Sequence, residues 1–201
     1  MKLYYIDQTR AFRPRWLLEE LELPYELIRL NPQEREHKSP EYLKIHPLGS
    51  VPALVDEGQV ILETIAICMH IADGHLETGI APPLGTPERA AYYQWLSFAA
   101  STLEPCISDA YIRSFSLPPD RRHEAATPDE QELFDWVLTP LEEHLQGKLF
   151  VLGDRFTAAD VVVAGVLDWA DRAGFADYLG AGTDYLSAMR SRPAYREALT
   201  E

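Results

Sequence analysis

Two short stretches of this 201-residue chain combine charge-handling side chains with the start of a helix. The first is Asp7-Gln8-Thr9-Arg10, a polar turn between the apolar run Leu3 to Ile6 and a helical pattern that begins at Arg13 with Trp16, Leu17 and Leu18. It carries neither a cysteine nor a glycine fingerprint. The second is Glu63-Thr64, which opens a helix ending near Asp73. A helix N-terminus gathers N–H groups that favour anions. Thr64 is expected to cap its helix, leaving the leading N–H groups for a ligand carboxylate, while Glu63 suits a ligand ammonium. Val51-Pro52 adds a third element. Proline cannot donate to a ladder, so it belongs at a strand start and leaves the preceding backbone groups free to pair elsewhere. Val51 and the Glu63–Thr64 corner together suit a small peptide with a free α-amino-acid end. An ordinary N-cap beside a solvated glutamate would read the same way.

These residues are positioned by a chain that changes character near its middle. Strands are expected at Lys2–Ile6, Tyr25–Leu30, Ala53–Asp56 and Gln59–Leu62, and helices at Arg13–Leu21 and from Thr64, with a short helix somewhere in Asn31–Ile45. Strand, helix, strand implies a parallel pair with a right-handed crossover, and "DEGQ" at 56–59 looks like a hairpin turn. "GHLETGIAPPLG" (74–85) reads as a linker, after which strand signals almost vanish. "TPER" (86–89) and "TPDE" (127–130) each offer a Thr cap with Pro at the first helical position, and "TAAD" (157–160) is a capping box with Asp160 in the acidic position. Pro140, inside "DWVLTPLEEHL", is expected to kink its helix or mark a change of direction. The fold class is therefore α/β followed by all-α: a first domain over residues 1–76, a linker over 77–86 and a helical domain over 87–201.

Composition narrows the partners. A net charge of −14, from 32 acidic against 18 basic residues, repels nucleic acid and acidic membrane surfaces, and no run of four basic residues offsets it. Cys68 and Cys106 lie far apart in apolar surroundings, outside any zinc or Cys-x-x-Cys spacing, and read as buried free thiols. No signal peptide or membrane span is expected, and a reducing cytoplasm fits best.

"HPLGSVPALVDEGQVILETIAICMHIAD" (46–73), preceded by "KSPEYLK" and followed by a helical half containing "FTAADVVVAGVL", resembles the cytosolic glutathione transferase family. "TRAFRPRWLLEELELPYELIRL" (9–30) is similar to the N-terminal unit of its bacterial members. The resemblance implies a thioredoxin-like N-terminal domain, an all-helical C-terminal domain and a homodimer. It also implies a cis bond at Val51-Pro52, which would turn the Val51 N–H and C=O toward the cysteinyl backbone of glutathione. Glu63 and Thr64 would hold the γ-glutamyl end, and Lys38, or less favourably His37, the glycine carboxylate. The chain has His46 where Asn is common, Ser50 where many members carry Lys or Gln near the ligand, and Thr64 where Ser is usual.

The chemistry implied is nucleophilic, with a sulfur that the protein borrows. A free cysteine thiol titrates near ~8.5, so only about 3% is ionised at neutral pH. Lowering the pKa by ~2 units ionises about three-quarters of it, which takes roughly 2.7 kcal/mol of preferential thiolate stabilisation. A charge-assisted hydrogen bond and the first helix dipole together suffice. Thr9, Arg10 and Tyr5 are the candidates, with Thr9 first; the alternative places are a helix-starting Thr9, a solvated Arg10 and a packing Tyr5. The missing cysteine argues against mixed-disulfide members and dithiol oxidoreductases. Phe12, Trp95, Phe98, Thr102, Tyr111 and Phe115 are candidates for the pocket of a small hydrophobic electrophile, with the core as their alternative place. Asp160 is read as structural, and no metal is called for. The competing functions are a non-catalytic dimeric interaction or stress-regulatory protein of the same fold and, with little support, a membrane-inserting relative.

Overall fold

A computed structural model describes residues 1–112, 120, 128–175, 179–180 and 182–200. It divides into two compact units, Met1–Ala81 with Arg190–Glu201, and Pro82–Met189. The segment from Arg190 packs with the first unit.

The first unit is built on a four-stranded sheet of order β2-β1-β3-β4, formed by β1 (Lys2–Tyr5), β2 (Glu26–Arg29), β3 (Ala53–Asp56) and β4 (Gln59–Leu62). β1 and β2 pair in parallel across helix α1 (Phe12–Glu20), as a strand–helix–strand unit requires. β3 runs antiparallel to both β1 and β4. The β3–β4 hairpin turns through Glu57 and Gly58, both at positive φ (48° and 85°), which is the backbone of a type I′ turn. Asp56 and Gln59 close it as a pair. A short helical turn, Glu36–Lys38, and α2 (Pro40–Leu43) precede β3, and α3 (Thr64–Asp73) follows β4. Ser39 caps α2, its Oγ accepting from the Tyr42 N–H at 3.2 Å, with Pro40 at the first helical position.

The core of this unit contains Leu3, Trp16, Leu17, Leu18, Leu54, Ile67 and Ile71, all but sealed from water. Cys68 lies among them, and burial pushes its thiol up to about 12. Helix α9 (Pro193–Glu197) packs on α1. The Tyr195 ring meets Phe12 and Trp16 edge-on, at 5.1 Å in each case, and Arg192 grips the Glu20 carboxylate with two hydrogen bonds of 2.6 and 2.7 Å. Burial of those aromatic faces is what draws the segment back.

The second unit is helical: α4 (Pro87–Phe98), α5 (Glu104–Tyr111), α6 (Pro128–Leu145), α7 (Ala158–Ala170) and α8 (Gly182–Arg190). Thr86 caps α4, its Oγ1 accepting from the Arg89 N–H at 3.3 Å. One wide helical turn, Ala99–Leu103, joins α4 to α5. α6 runs unbroken through Pro140, so the expected change of direction is not a break in the helix. α7 is buried on every face from Ala158 to Asp168, consistent with its almost wholly apolar sequence. Among the described residues, no helix is long and apolar enough to cross a membrane.

Candidate functional site

Strand direction gathers the site. Tyr4 pairs with Ala53 in the antiparallel β1–β3 ladder, and Ala53 pairs with Leu62 in the β3–β4 ladder. The end of β1, the start of β3 and the end of β4 therefore lie at one edge of the sheet. Three segments leave the sheet there: the turn 6–11, Val51-Pro52, and Glu63-Thr64 at the head of α3. The two registers bring these segments together.

Each segment has its own local cause. Val51 precedes the first pair in both ladders, so neither register uses its N–H or C=O, and the Val51–Pro52 peptide is cis. At the third segment the structure corrects the sequence reading. Thr64 is the first helical residue of α3, Glu63 occupies the cap position, and no side chain caps the helix. Glu63 sits at φ 70°, ψ 122°, a region that L-residues rarely occupy and that costs on the order of 1–3 kcal/mol. The leading N–H groups of a ten-residue helix are thus left without a capping side chain, beside an exposed carboxylate.

The loop before Val51 is braced from below. The Tyr42 hydroxyl donates to the Ser50 carbonyl at 2.6 Å, and the Lys38 ammonium donates to the carbonyls of Leu48 and Gly49 at 2.8 and 2.9 Å. Two of the three Lys38 protons serve that loop, leaving one for a carboxylate. Gly49 is obligatory: its φ is +56°, and a Cβ there would stand 2.3 Å from the His37 carbonyl oxygen. His46 stacks on Tyr42 with ring centroids 6.4 Å apart, and its backbone holds Gly49 through a 2.7 Å hydrogen bond. Burial lowers the His46 imidazole below its ordinary pKa, opposed in part by the Glu63 carboxylate. The Ser50 side chain is exposed.

In the opening turn, the Thr9 hydroxyl donates to the Ile6 carbonyl at 2.7 Å and accepts from the Ala11 N–H at 3.3 Å. It fastens the turn and helps start α1, whose cap position, Ala11, has no capping side chain. Arg10 is exposed. Tyr5 is buried against two cations. It is 3% exposed, its ring lies 5.3 and 5.4 Å from the guanidinium carbons of Arg15 and Arg29, and its hydroxyl interacts with Arg15.

Known proteins resemble this chain in sequence and fold. A family model described as glutathione S-transferase, N-terminal domain, matches residues 1–73, and one described as glutathione S-transferase, C-terminal domain, matches residues 124–197. The chain belongs to the glutathione S-transferase family. It is 32% identical over 174 residues to glutathione S-transferase GST-4.5 of Xanthomonas campestris pv. campestris, spanning 87% of this chain and 84% of that one. It is 28% identical to elongation factor 1-gamma-A of Xenopus laevis over 98% of this chain and 45% of that protein. A solved sphingomonad glutathione S-transferase, complexed with glutathione, superposes with a TM-score of 0.77 at 27% identity, covering 99% of this chain and 97% of its own.

The transferase fold places the electrophile candidates unevenly. Phe12 is 3% exposed, packed against Trp16 and Tyr195. Trp95 is likewise buried, between Phe98 at 5.4 Å and His144 at 4.4 Å. Phe98, Thr102 and Tyr111 stay half-exposed, Tyr111 with its ring 5.8 Å from Trp169. Phe115 lies outside the described residues. Asp160 has the structural place expected of it, fully buried and accepting from Val151 N–H (2.8 Å), Thr157 N–H (2.8 Å) and Tyr185 hydroxyl (2.9 Å). Cys68 and Cys106 are free and buried. Among the described residues, no group of three metal-ligating side chains comes together. Sequence reading missed the loop braces Tyr42 and Gly49, and only the glycine in "HPLGS" hinted at them.

Proposed function

We propose that this protein is a glutathione transferase that holds glutathione at the sheet edge and directs its thiolate to a small hydrophobic electrophile or a peroxide. One observation carries the reading: an uncapped helix start, an exposed carboxylate and a strand-free backbone unit converge beside a hydroxyl-bearing turn. In this reading the α3 N–H groups and Thr64 bind the γ-glutamyl carboxylate, and Glu63 binds its ammonium. Val51 pairs with the cysteinyl backbone across the Val51–Pro52 corner, and the third Lys38 proton, beside Ser50, meets the glycine carboxylate. The sphingomonad protein solved in complex with glutathione supports the choice of ligand.

Thr9 is the proposed hydroxyl donor to the sulfur, which makes this a Ser/Thr-type rather than a Tyr-type member. Its proton leaves the Ile6 carbonyl for the thiolate, a stronger acceptor, and Arg10 adds positive potential. The thiolate attacks the electrophilic carbon, the S–C bond forms as the leaving group departs with its electron pair, and the thiol proton passes to solvent. With a peroxide, the sulfur is oxidised as the O–O bond is reduced, and a second glutathione completes the disulfide. Phe98, Thr102 and Tyr111 are the proposed pocket residues. A homodimer in the reducing cytoplasm completes the reading.

The test is direct titration. The protein is expected to bind glutathione below millimolar concentration and to lower its thiol pKa, followed by thiolate absorption against pH. No binding at millimolar glutathione, with no turnover across a broad set of electrophiles, overturns the enzyme reading. The likeness to a protein named as an elongation factor favours a second reading, a non-catalytic dimeric interaction protein. Capture of a defined partner without glutathione, with no thiol pKa shift, would select it.

A further inference from the structure

In the turn 6–11, Asp7, Gln8 and Arg10 are exposed, Gln8 stands at φ 60°, and the Thr9 hydroxyl ties the turn to the Ile6 carbonyl and the Ala11 N–H. If Thr9 gives its proton to sulfur, the bond to Ile6 is lost at the moment when geometry matters most. Something outside the turn must then hold it, because misplacement by about 1 Å is enough to cost a large share of catalysis.

Arg29, at the end of β2, makes that connection. Its Nη1 donates to the Asp7 carboxylate at 2.5 Å, and its Nη2 donates to the Thr200 carbonyl at 3.2 Å. Its guanidinium lies 5.4 Å from the centre of the Tyr5 ring. Arg15, buried on α1, donates to the same Thr200 carbonyl at 2.7 Å. On the far side of the turn, Phe12 packs against Tyr195. Phe12 thus rests on the segment Arg190–Thr200 through Tyr195, while Tyr5 is linked to Thr200 through Arg15 and Arg29, and Arg29 joins that segment to the turn itself.

We infer that Arg29 is a positioning residue for the sulfur-holding turn, fastening Asp7 to the main chain of Thr200 so that the segment Arg190–Thr200 holds Thr9 in register with the bound thiol. The inference rests on the proposed function for its chemistry, but not for its geometry. The planar fork is essential to it. A guanidinium offers two divergent N–H pairs in one plane, whereas an ammonium is a compact point charge that cannot reproduce that fixed geometry. A lone exposed ion pair would hold little, because solvent screens it and ordering two side chains offsets the gain. Here the same cation also bonds a carbonyl and covers a buried aromatic ring.

The experiment compares Arg29→Met, Arg29→Lys and Asp7→Asn with the unchanged protein. Amide hydrogen exchange is read without ligand, and bound-thiol pKa and glutathione affinity with it. In all three variants, exchange at residues 8–12 is expected to quicken by about tenfold or more relative to β3, as loss of a local fastening predicts. Bound-thiol pKa is expected to rise by about half a unit to one unit, a roughly three- to tenfold change in the ionisation equilibrium. The dissociation constant should move less than about threefold, because the γ-glutamyl contacts are untouched. Unchanged exchange at the turn overturns the inference whether or not glutathione binds. Arg29→Lys behaving like the unchanged protein, while Arg29→Met raises the thiol pKa, also overturns it, because charge alone would then suffice. An unchanged protein that leaves the thiol at its free-solution pKa is a failure of the proposed function instead, and the exchange measurement still decides the positioning.

Discussion

Two helix starts in this molecule use the same residue types to opposite ends. At α7 the carboxylate of Asp160 is buried and accepts from two backbone N–H groups and from the Tyr185 hydroxyl, with the Thr157 hydroxyl a further donor at 3.2 Å. At α3 the carboxylate of Glu63 is exposed, its backbone is strained, and no side chain caps the helix. A threonine accompanies each acid. The difference is satisfaction: the polar groups at the start of α7 are engaged within the fold, whereas no side chain caps α3, and it is this uncapped start that the proposed function assigns to a ligand.

That contrast can be broken by experiment. Asp160→Ala leaves the Val151 and Thr157 N–H groups buried without their acceptor, so it should cost about 3–5 kcal/mol of stability. Chemical denaturation measures this, and a loss below about 1 kcal/mol would place α7 with α3. Glu63→Ala should do the reverse, weakening glutathione binding by about tenfold to a hundredfold with stability nearly unchanged. Calorimetric titration against the unfolding midpoint separates the two effects.

Protonation sharpens the comparison. Burial raises the Asp160 carboxyl to about 6, above its ordinary 3.8, against the donors that favour its ionised form. The folded state therefore holds this proton more tightly than the unfolded chain. Its contribution to stability is full below pH 3.8 and is lost as pH rises through 6, by roughly 3 kcal/mol at most. Relative to Asp160→Asn, the unchanged protein should gain stability between pH 7 and pH 5. A parallel pH dependence of the two unfolding midpoints would refute the assignment.

Smaller effects are expected at the turn. Thr9→Val removes the donor at nearly constant volume and should raise the bound-thiol pKa by about one unit, read from thiolate absorption. Tyr5→Phe should leave that pKa unchanged, because the Tyr5 hydroxyl faces Arg15. A shift on Tyr5→Phe equal to that on Thr9→Val would return Tyr5 to the chemistry. Glu63→Gly should keep the loss of affinity while adding up to about 1 kcal/mol of stability, since glycine tolerates positive φ.

Element order was written in the local pattern. The strands at 2–5, 53–56 and 59–62, the Glu57–Gly58 turn and the Thr157–Asp160 cap arise from residues within a few positions of one another, and short-range sterics and hydrogen bonds decide them. The convergence of Val51 with Glu63 was legible for the same reason, because a two-residue hairpin sets the register. Tertiary structure alone decided which groups are already engaged. Tyr5 reads as a strand aromatic, yet it lies against Arg15, which is itself buried and bonds a carbonyl 185 residues away. Phe12 reads as pocket lining until Tyr195 covers it. Thr9 reads as a free donor until its proton is traced to Ile6. Periodicity reports which face of an element seeks cover. What supplies the cover, and which hydrogen-bonding groups it consumes, depends on segments far apart in the chain, and no local pattern encodes them.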